Sequence, residues 1–211
     1  MKNLVIACVV CLLSATARAA DLPPEIVRIQ TEWARINYKL PEKEQEGAFK
    51  TLAGQSRAVA EKLPGRAEAL IWEGIVLAGY AKARGGFSAL SLAEKARDRL
   101  LEAERIDPNA LAGSAYTSLG SLHYKVPGWP IGFGDKKKAR EYLLKALAIN
   151  PNGIDANYFW GDFLKEQGDY SAAAAAYRKA LSAHPRPGRE DADAGRRVEI
   201  TNGIKDVESR M

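Results

Sequence analysis

The chain has 211 residues, which suits one domain or a short array of repeats. Hydrophobic residues make up 46% and charged residues 27%, an ordinary composition for a globular protein. The net charge of +5 is weak and the basic residues are spread along the chain, so a nucleic-acid-binding protein is not expected.

The first residues have the pattern of a secretory signal peptide, predicted over 1–19. Lys2 is basic, an apolar run extends from Leu4 to Leu13, and Ala17-Arg18-Ala19 fits a small-x-small cleavage site. The apolar run is too short to span a bilayer, although an uncleaved membrane anchor is the alternative. We therefore expect a mature chain that begins near Ala20 and is periplasmic or secreted.

Both cysteines, Cys8 and Cys11, lie inside this predicted signal peptide. The mature chain would then have no disulfide and no thiolate metal site. Neither cysteine follows a convincing lipoprotein signal, because the apolar stretch before Cys8 is short and Val10 before Cys11 is large. Removal of residues 1–19 also lowers the net charge from +5 to +3.

A pattern of small and large residues recurs three times in one register, and each copy is closed by a proline. The sets are Ala96, Leu100, Ala103 and Pro108; Ala139, Leu143, Ala146 and Pro151; and Ala173, Tyr177, Ala180 and Pro185. Small residues let two helices approach closely, a large residue fills the groove between them, and proline ends a helix.

A glycine among apolar residues precedes each of these sets, at Gly74, Gly120 and Gly161. Glycine inside a helix costs about 1 kcal/mol relative to alanine, so we expect a neighbouring helix to press against the backbone there. Together the two patterns are typical of helices A and B of the tetratricopeptide repeat, a hairpin of two helices.

We therefore predict an all-α, tetratricopeptide-type solenoid of about four helical hairpins. The predicted repeat domain covers 20–187, with copies near 30–65, 67–109, 112–152 and 154–187, and a capping helix or tail follows over 188–211. A terminal cap is expected because the last repeat would otherwise expose an apolar face. An unrelated helical bundle is the alternative.

The copies differ in length between the helix A glycine and the closing proline. They run from 161 to 185 in the last copy, from 120 to 151 in the third and from 74 to 108 in the second. Because the register of helix B is constant, we expect the extra residues between helices A and B, at Tyr80–Ser91 and Lys125–Gly134. Stacked repeats would place both insertions on one edge, which is commonly the binding side.

The insertions combine glycine with aromatic side chains and suggest a contact surface. We predict a binding site on this edge, formed by Arg84, Phe87, Tyr124, Trp129 and Phe133. The alternative is that the aromatic rings fold back and seal the edge of the solenoid.

A second candidate site is the concave groove lined by helix A of each repeat. From the positions of helix A that usually face the groove in this type of repeat, we predict four binding residues: Ile71, Ile75, Tyr158 and Asp162. The groove would be apolar at one end and polar to acidic at the other, which suits an amphipathic peptide or a small apolar ligand.

No pattern in the sequence indicates catalysis, a metal or a cofactor. His123 and His184 have no His or Cys at ligand spacing, so a zinc site is not expected. The chain has no Gly-x-Ser-x-Gly elbow, and Gly132–Asp135 lacks the Gly-Lys-Ser/Thr of a phosphate loop. We expect His123 to be packed inside and Asp135 to cap the next helix. The prediction is a protein that is not an enzyme, with a histidine-based triad left open.

Three segments carry a further resemblance: Ala69–Gly74 with Gly85-Gly86, Tyr124–Asp135, and Gly153–Phe159. They resemble exported bacterial repeat proteins similar to the T-component of TRAP transporters, the tripartite ATP-independent periplasmic transporters. The resemblance covers roughly residues 30–187. It implies a periplasmic helical protein that forms homo-oligomers and partners a solute-binding protein. The T-component is a lipoprotein, whereas this chain has no convincing lipoprotein signal.

The sequence and this resemblance together predict an exported binding or scaffold protein. It would be an accessory component of a TRAP-like solute-uptake system, acting through a protein partner or a small apolar ligand. A general scaffold for envelope complexes is the alternative.

Overall fold

The structure, a computed structural model, describes residues 22–211, so the predicted signal peptide at 1–19 lies outside the described residues. Within 22–211 the chain forms nine helices and no β-strand, and the predicted all-α fold is confirmed. The helices are α1 (Pro24–Lys39), α2 (Glu42–Lys62), α3 (Ala67–Arg84), α4 (Ser88–Ile106), α5 (Ala110–Lys125), α6 (Lys136–Ile149), α7 (Ile154–Glu166), α8 (Tyr170–Leu181) and α9 (Glu190–Glu208). None of these helices is both long and apolar enough to cross a membrane.

Consecutive helices pack as four hairpins: α1 with α2, α3 with α4, α5 with α6, and α7 with α8. Each odd-numbered helix also packs against the next odd-numbered helix, from α1 through to α9. The predicted helical-hairpin solenoid is therefore confirmed, and helix A of each repeat lies on a common wall.

The helix A glycines lie directly against helix B of the same repeat. A Cβ atom added at Gly74 would lie 2.6 Å from Leu100 Cγ, and one added at Gly120 would lie 2.6 Å from Leu143 Cγ. A Cβ atom added at Gly161 would lie 2.8 Å from Tyr177 Cδ1. The paired alanines of the three sets are fully buried beside these contacts. The recurring pattern thus builds the core between the two helices of each hairpin, as the spacing predicts.

The second repeat is long because its helices are long. Tyr80–Ser91 was expected to be an insertion between helices, but α3 continues to Arg84 and α4 begins at Ser88. This prediction is wrong because the segment has no proline and is rich in helix-forming residues. Only Gly85-Gly86-Phe87 remains as a turn, and both glycines have a φ of 63°, which favours glycine.

The third repeat does contain a loop, 126–135, between α5 and α6. It is held by its own backbone, since Gly134 N–H donates to the Pro127 carbonyl at 2.9 Å. A Cβ atom at Gly132 would lie 2.6 Å from the same carbonyl oxygen, so glycine is needed there for the close approach. At its end the Asp135 side chain accepts hydrogen bonds from the Lys137 and Lys138 backbone, which confirms the predicted cap of α6.

The first hairpin begins earlier than the expected start near residue 30. Pro24 is the first residue of α1, a position where proline costs no hydrogen bond. The first copy therefore extends from Pro24 to the end of α2 at Lys62.

The C-terminal helix covers the last repeat. Helix α9 packs against α7 and α8, and a Cβ atom at Gly203 would lie 2.8 Å from Cζ of Tyr177. Ile200 and Val207 of α9 are fully buried in this contact. The helix thus removes the apolar end face that a terminal repeat would expose.

Helix α9 also contacts α1 at the other end of the chain. The backbone of Gly195 lies against the ring of Tyr38, and the Tyr38 hydroxyl donates to Glu199 Oε2 at 3.2 Å. An exposed ion pair between Lys39 and Asp191 lies beside this contact, with an N–O distance of 2.5 Å. The first and last helices therefore meet, and the concave side of the array is closed.

Candidate functional site

The contact between α1 and α9 borders a partly open cavity of about 880 Å³ on the concave side of the array. Its lining comes from α1, α3, α4, α5, α7 and α9, together with three inter-helix segments: the turn before α4, the loop 126–135 and the segment before α9 that carries Arg186 and Arg189. Ligand pockets commonly fall in the range of roughly 300–1,000 Å³, so the size suits a small molecule or a short peptide segment.

The part of the cavity nearest the first two repeats is apolar. Trp33, Trp72 and Ile75 line it together with Ala78 and Leu90. Ala78 of α3 also lines this part of the cavity, between α1 and α4. Because its side chain is small, it occupies little of the space there. The surface is of the kind that binds an apolar group.

Charged side chains from the C-terminal segment line another part of the wall. Asp155 accepts a hydrogen bond from Arg186 Nη1 at 2.7 Å and another from Arg196 Nε at 2.8 Å. Burial alone would raise the pKa of Asp155, but these two guanidinium groups outweigh it and hold the pKa well below its usual value. The carboxylate is therefore ionised and fully engaged with the two arginines.

Asp162 joins three helices at the cavity wall. It accepts hydrogen bonds from Tyr124 of α5 at 2.9 Å and Tyr177 of α8 at 3.3 Å, and Lys125 Nζ lies 2.8 Å away. Burial opposes its ionisation, but the hydrogen bonds from Lys125 and Tyr124 prevail, so the pKa of Asp162 lies below its usual value. This buried, paired carboxylate stabilises the wall and presents little free charge to a ligand.

Three of the four predicted groove residues line the cavity: Ile75, Tyr158 and Asp162. Ile71 does not, because its side chain is 0% exposed and packs in the core with Leu100 of α4. The assignment of Ile71 to the groove is therefore wrong. Position along helix A alone does not determine which residues a neighbouring helix covers.

The mouth of the cavity is lined by Phe87 of the turn before α4 and by Ile131 of the loop 126–135, and this loop contacts Leu90 in the first turn of α4. A Cβ atom at Gly132 would lie 3.1 Å from Leu90 Cδ1, and both Phe87 and Ile131 line the opening. Phe87 and Trp129 are 89% and 90% exposed, so neither ring seals the solenoid. Phe87 therefore offers a solvent-exposed ring at the mouth, whereas Trp129 is exposed nearby on the loop that carries Ile131 and does not line the cavity.

The remaining edge residues have other surroundings. Arg84 is exposed and donates a hydrogen bond to the Tyr80 hydroxyl at 3.2 Å. Phe133 is half-buried between the Arg97 guanidinium, 4.6 Å from its centroid, and the His123 ring, 5.4 Å away. Tyr124 is only 8% exposed and its hydroxyl is bound to Asp162, so the assignment of Tyr124 to an accessible edge is wrong.

Several cavity residues were missed from the sequence: Trp33, Tyr38, Arg186, Arg189 and Arg196. These residues lie on α1 or in the C-terminal segment. The contact between α1 and that segment is not predicted by the repeat pattern. The available signal was the density of arginines after residue 185 in a segment expected to be only a polar cap.

Comparisons with known proteins agree with this architecture. The tetratricopeptide repeat family model matches residues 131–152 and 154–186. No curated protein sequence matches the chain. Among solved structures, TTC0263, a thermophilic TPR protein of Thermus thermophilus, is similar with a TM-score of 0.58 and 18% identity, over 75% of this chain and 74% of that chain.

Two structures of MamA are also similar, each with a TM-score of 0.45. One is 22% identical over 79% of this chain and 91% of its own chain. The other is 21% identical over 87% of this chain and 90% of its own chain. Folds of this type commonly provide surfaces for protein binding or scaffolding. The chain therefore has a tetratricopeptide-type repeat fold, in which residues 131–186 carry the sequence pattern of the repeat itself.

Proposed function

We propose that the protein is an exported binding protein that holds a ligand inside its repeat array and contacts a protein partner at the mouth. The observation that carries this proposal is the contact of α9 with α1, which narrows the groove to a partly open cavity of about 880 Å³. An open groove suits an extended peptide, whereas a cavity bounded on several sides favours a small molecule or a short segment.

The lining supports a ligand with a substantial apolar part. Trp33, Trp72, Ile75 and Leu90 offer aromatic and aliphatic surface in one part of the wall. Burial of apolar area contributes about 25 cal/mol per Å², so a ligand that fills this part gains most of its affinity there.

The mouth supports a protein contact. Phe87 and Trp129 are almost fully exposed, and the loop that carries Trp129 is held by backbone hydrogen bonds such as Ile131 N–H to the Gly128 carbonyl at 3.1 Å. A loop already fixed in shape loses less entropy on binding, and exposed aromatic side chains are common anchors in interfaces.

We further propose an accessory role in solute uptake, with a periplasmic solute-binding protein as the partner. The signal-peptide pattern and the resemblance to the T-component of TRAP transporters support this role. A ligand cavity beside a protein-binding edge suits a protein that receives or passes on a solute. The alternative is a scaffold for envelope complexes, for which the repeat fold is equally suitable; neighbouring transporter genes would favour uptake.

The cavity is tested with an uncharged dye whose fluorescence rises in apolar surroundings, such as N-phenyl-1-naphthylamine. Ala78 lines the cavity, whereas Ala148 is exposed on the outer helix α6. We expect Ala78→Phe to fill the cavity and weaken dye binding at least about tenfold, a loss of ~1.4 kcal/mol, and Ala148→Phe to bind as wild type. Absence of saturable binding, or equal binding by a folded Ala78→Phe variant, would contradict the proposal.

The export and partner proposals have separate tests. Mass spectrometry of the secreted protein is expected to show a chain that begins near Ala20, and an intact segment 1–19 or a lipid on Cys8 would refute export with cleavage. Titration with the purified solute-binding protein encoded nearby is expected to show direct binding, and no interaction would remove the uptake role.

A further inference from the structure

The cavity wall contains buried hydrogen-bond donors that have no acceptor. Among residues 22–211, four buried side-chain polar atoms lack a hydrogen-bond partner, and three are N–H groups of residues that line the cavity: Trp33 Nε1, Trp72 Nε1 and Arg189 Nε. The fourth, His123 Nδ1, belongs to a residue that does not line it. An unpaired buried donor is destabilising, so three at one wall require a common explanation.

These three residues are neighbours. The ring centroids of Trp33 and Trp72 are 6.1 Å apart, and Arg189 Cζ lies 5.1 Å from the centroid of the Trp72 ring. Trp72 is only 3% exposed, so its indole is more than nine-tenths buried. Because Trp72 contacts both other residues, the three side chains form one cluster, the donor patch, where α1, α3 and the start of α9 meet; within it Trp33 Nε1 lies beside Gly79 of α3.

Arg189 adds a positive charge to this patch. The carboxylates of the surrounding wall are bound by other arginines: Asp155 and Asp193 by Arg186, and Glu199 by Arg196. No ion pair of Arg189 is found within the described part of the chain. Burial and the nearby charge of Arg186 lower the pKa of Arg189, although Asp155 and Asp193 act in the opposite direction. An anion beside the guanidinium would counter both effects.

The apolar part of the lining adjoins this patch. Ile75 and Ala78 lie on α3, the same helix as Trp72, and Leu90 faces them from α4. One ligand could therefore contact the donor patch with a polar head and the aliphatic side chains with its body.

We propose that the cavity binds an amphipathic organic acid in its carboxylate form. The carboxylate accepts hydrogen bonds from the guanidinium of Arg189 and the indole N–H groups of Trp33 and Trp72. The apolar body lies against Ile75, Ala78 and Leu90. The inference rests on the proposed ligand-binding function and specifies its ligand class. The N–H atoms are covered by neighbouring side chains, so the half-buried Arg189 side chain moves from the Trp72 ring on binding.

The chemistry explains why a carboxylate fits better than a neutral group. Its two oxygens have about four acceptor positions, enough for three N–H donors, and a charge-assisted hydrogen bond is about twice as strong as a neutral one. A primary amide of the same chain has one acceptor oxygen and adds donors that the patch cannot pair.

The test compares straight-chain carboxylates with their matching primary amides as competitors of the bound uncharged dye. In wild type we expect the carboxylate to displace the dye at a concentration at least about tenfold lower than the amide. Arg189→Gln is expected to remove this preference, which is read as the ratio of the two displacement concentrations within that variant. Lys82→Gln is the matched control, because Lys82 is an exposed cation that also lines the cavity, and it should retain the preference.

Trp72→Phe supplies a second variant, which removes the indole N–H and keeps an aromatic ring. It is expected to weaken carboxylate displacement several-fold and to change amide displacement less. Equal displacement by the two competitors in wild type would overturn the carboxylate proposal and leave the cavity function standing. Failure of the dye itself to bind would instead overturn the proposed function. The wild-type comparison decides the ligand class even if one variant does not fold.

Discussion

Trp129 and Phe133 lie four residues apart in one loop but have opposite surroundings. Trp129 is 90% exposed, whereas Phe133 packs against the ring of His123 and beneath the Arg97 guanidinium. The interpretation of this loop as a seal therefore describes Phe133, and its interpretation as a contact surface remains available for Trp129.

For Trp129→Ala we expect a free energy of unfolding within about 0.5 kcal/mol of wild type, because the side chain buries almost no area. If Trp129 anchors the partner, its affinity should fall by roughly 2 kcal/mol or more. Thermal melting and partner titration on one preparation measure both quantities. Phe133→Ala is the control and should lower stability, by about 2 kcal/mol. A lowered melting temperature with unchanged affinity for Trp129→Ala would leave the cavity as the sole candidate site.

His123 makes stability depend on pH. Its ring stacks on Tyr142 at 5.6 Å, and burial, helped by the charge of Lys138, lowers its pKa despite opposing contributions from the Phe133 backbone and Asp135. The unfolded chain then takes up the proton more readily than the folded chain. Stability contributed by the neutral imidazole is complete above the unfolded pKa of about 6.5 and is lost as the pH falls toward the lower folded pKa.

We therefore expect the melting temperature of wild type to decrease as the pH is lowered from about 7.5 to 5.5. His123→Gln should show a weaker dependence over this range. His184→Gln is the matched control, since His184 is exposed, and it should keep the wild-type dependence. The same pH dependence in His123→Gln as in wild type would show that other groups are responsible.

At the scale of helices, the closest contacts are those between the helix A glycines and helix B. Adding a methyl group to Gly120 would place it 2.6 Å from Leu143 Cγ and 3.3 Å from the Ala139 carbonyl oxygen, so the hairpin must open or Leu143 must leave its rotamer. At Gly54, an exposed glycine in α2, a Cβ atom would meet nothing within 4 Å.

The same substitution should therefore have opposite effects at these two glycines. Gly120→Ala is expected to destabilise the protein by about 1–3 kcal/mol through overpacking. Gly54→Ala should stabilise it by roughly 0.5–1 kcal/mol, because alanine favours helix. Chemical denaturation of both variants measures the difference. Stabilisation by Gly120→Ala would mean that helices α5 and α6 are further apart than described.

The segment Tyr80–Ser91 shows how far helix prediction from the sequence extends. Its excess length was detected by comparing repeats, but its conformation depended on local propensity, and only Gly85-Gly86-Phe87 breaks the helix. In 126–135 two prolines and three glycines prevent helix, so there the length difference does become a loop. Equal positions in a repeat therefore do not imply equal structure.

At the scale of the whole molecule, the contact of α1 with α9 decides whether the cavity exists. Its tightest point is Gly195, whose backbone lies against the ring of Tyr38. A larger side chain there would meet the ring of Tyr38, which itself lines the cavity, and would separate the first and last helices.

We predict that Gly195→Leu opens the array, increases its radius of gyration and weakens binding of the uncharged dye. Leucine favours helix over glycine by about 1 kcal/mol, so lower stability would arise from the lost contact. Small-angle X-ray scattering and dye titration measure the two effects. Val198→Leu, at a residue of α9 that is 61% exposed, is the control and should change neither. An unchanged scattering profile with unchanged dye affinity would show that closure does not depend on this contact.

The sequence by itself determined the helical hairpins, their register and the residues between them, such as Ala139 and Leu143. These features follow from the helical period and from contacts within one repeat, which leave a regular pattern in the chain. Groove positions counted along helix A also identified Ile75, Tyr158 and Asp162. They failed for Ile71, because neighbouring helices decide which inward positions are covered.

Only the tertiary structure decided that the array closes and that Trp33, Trp72 and Arg189 share one wall. The closing hydrogen bond joins Tyr38 to Glu199, 161 residues apart, and lies outside the repeat pattern. Such a contact depends on the curvature accumulated over all the hairpins, since small rotations between neighbours add up along the array. No local pattern in either helix records that sum, so the cavity and its donor patch follow from the assembled fold.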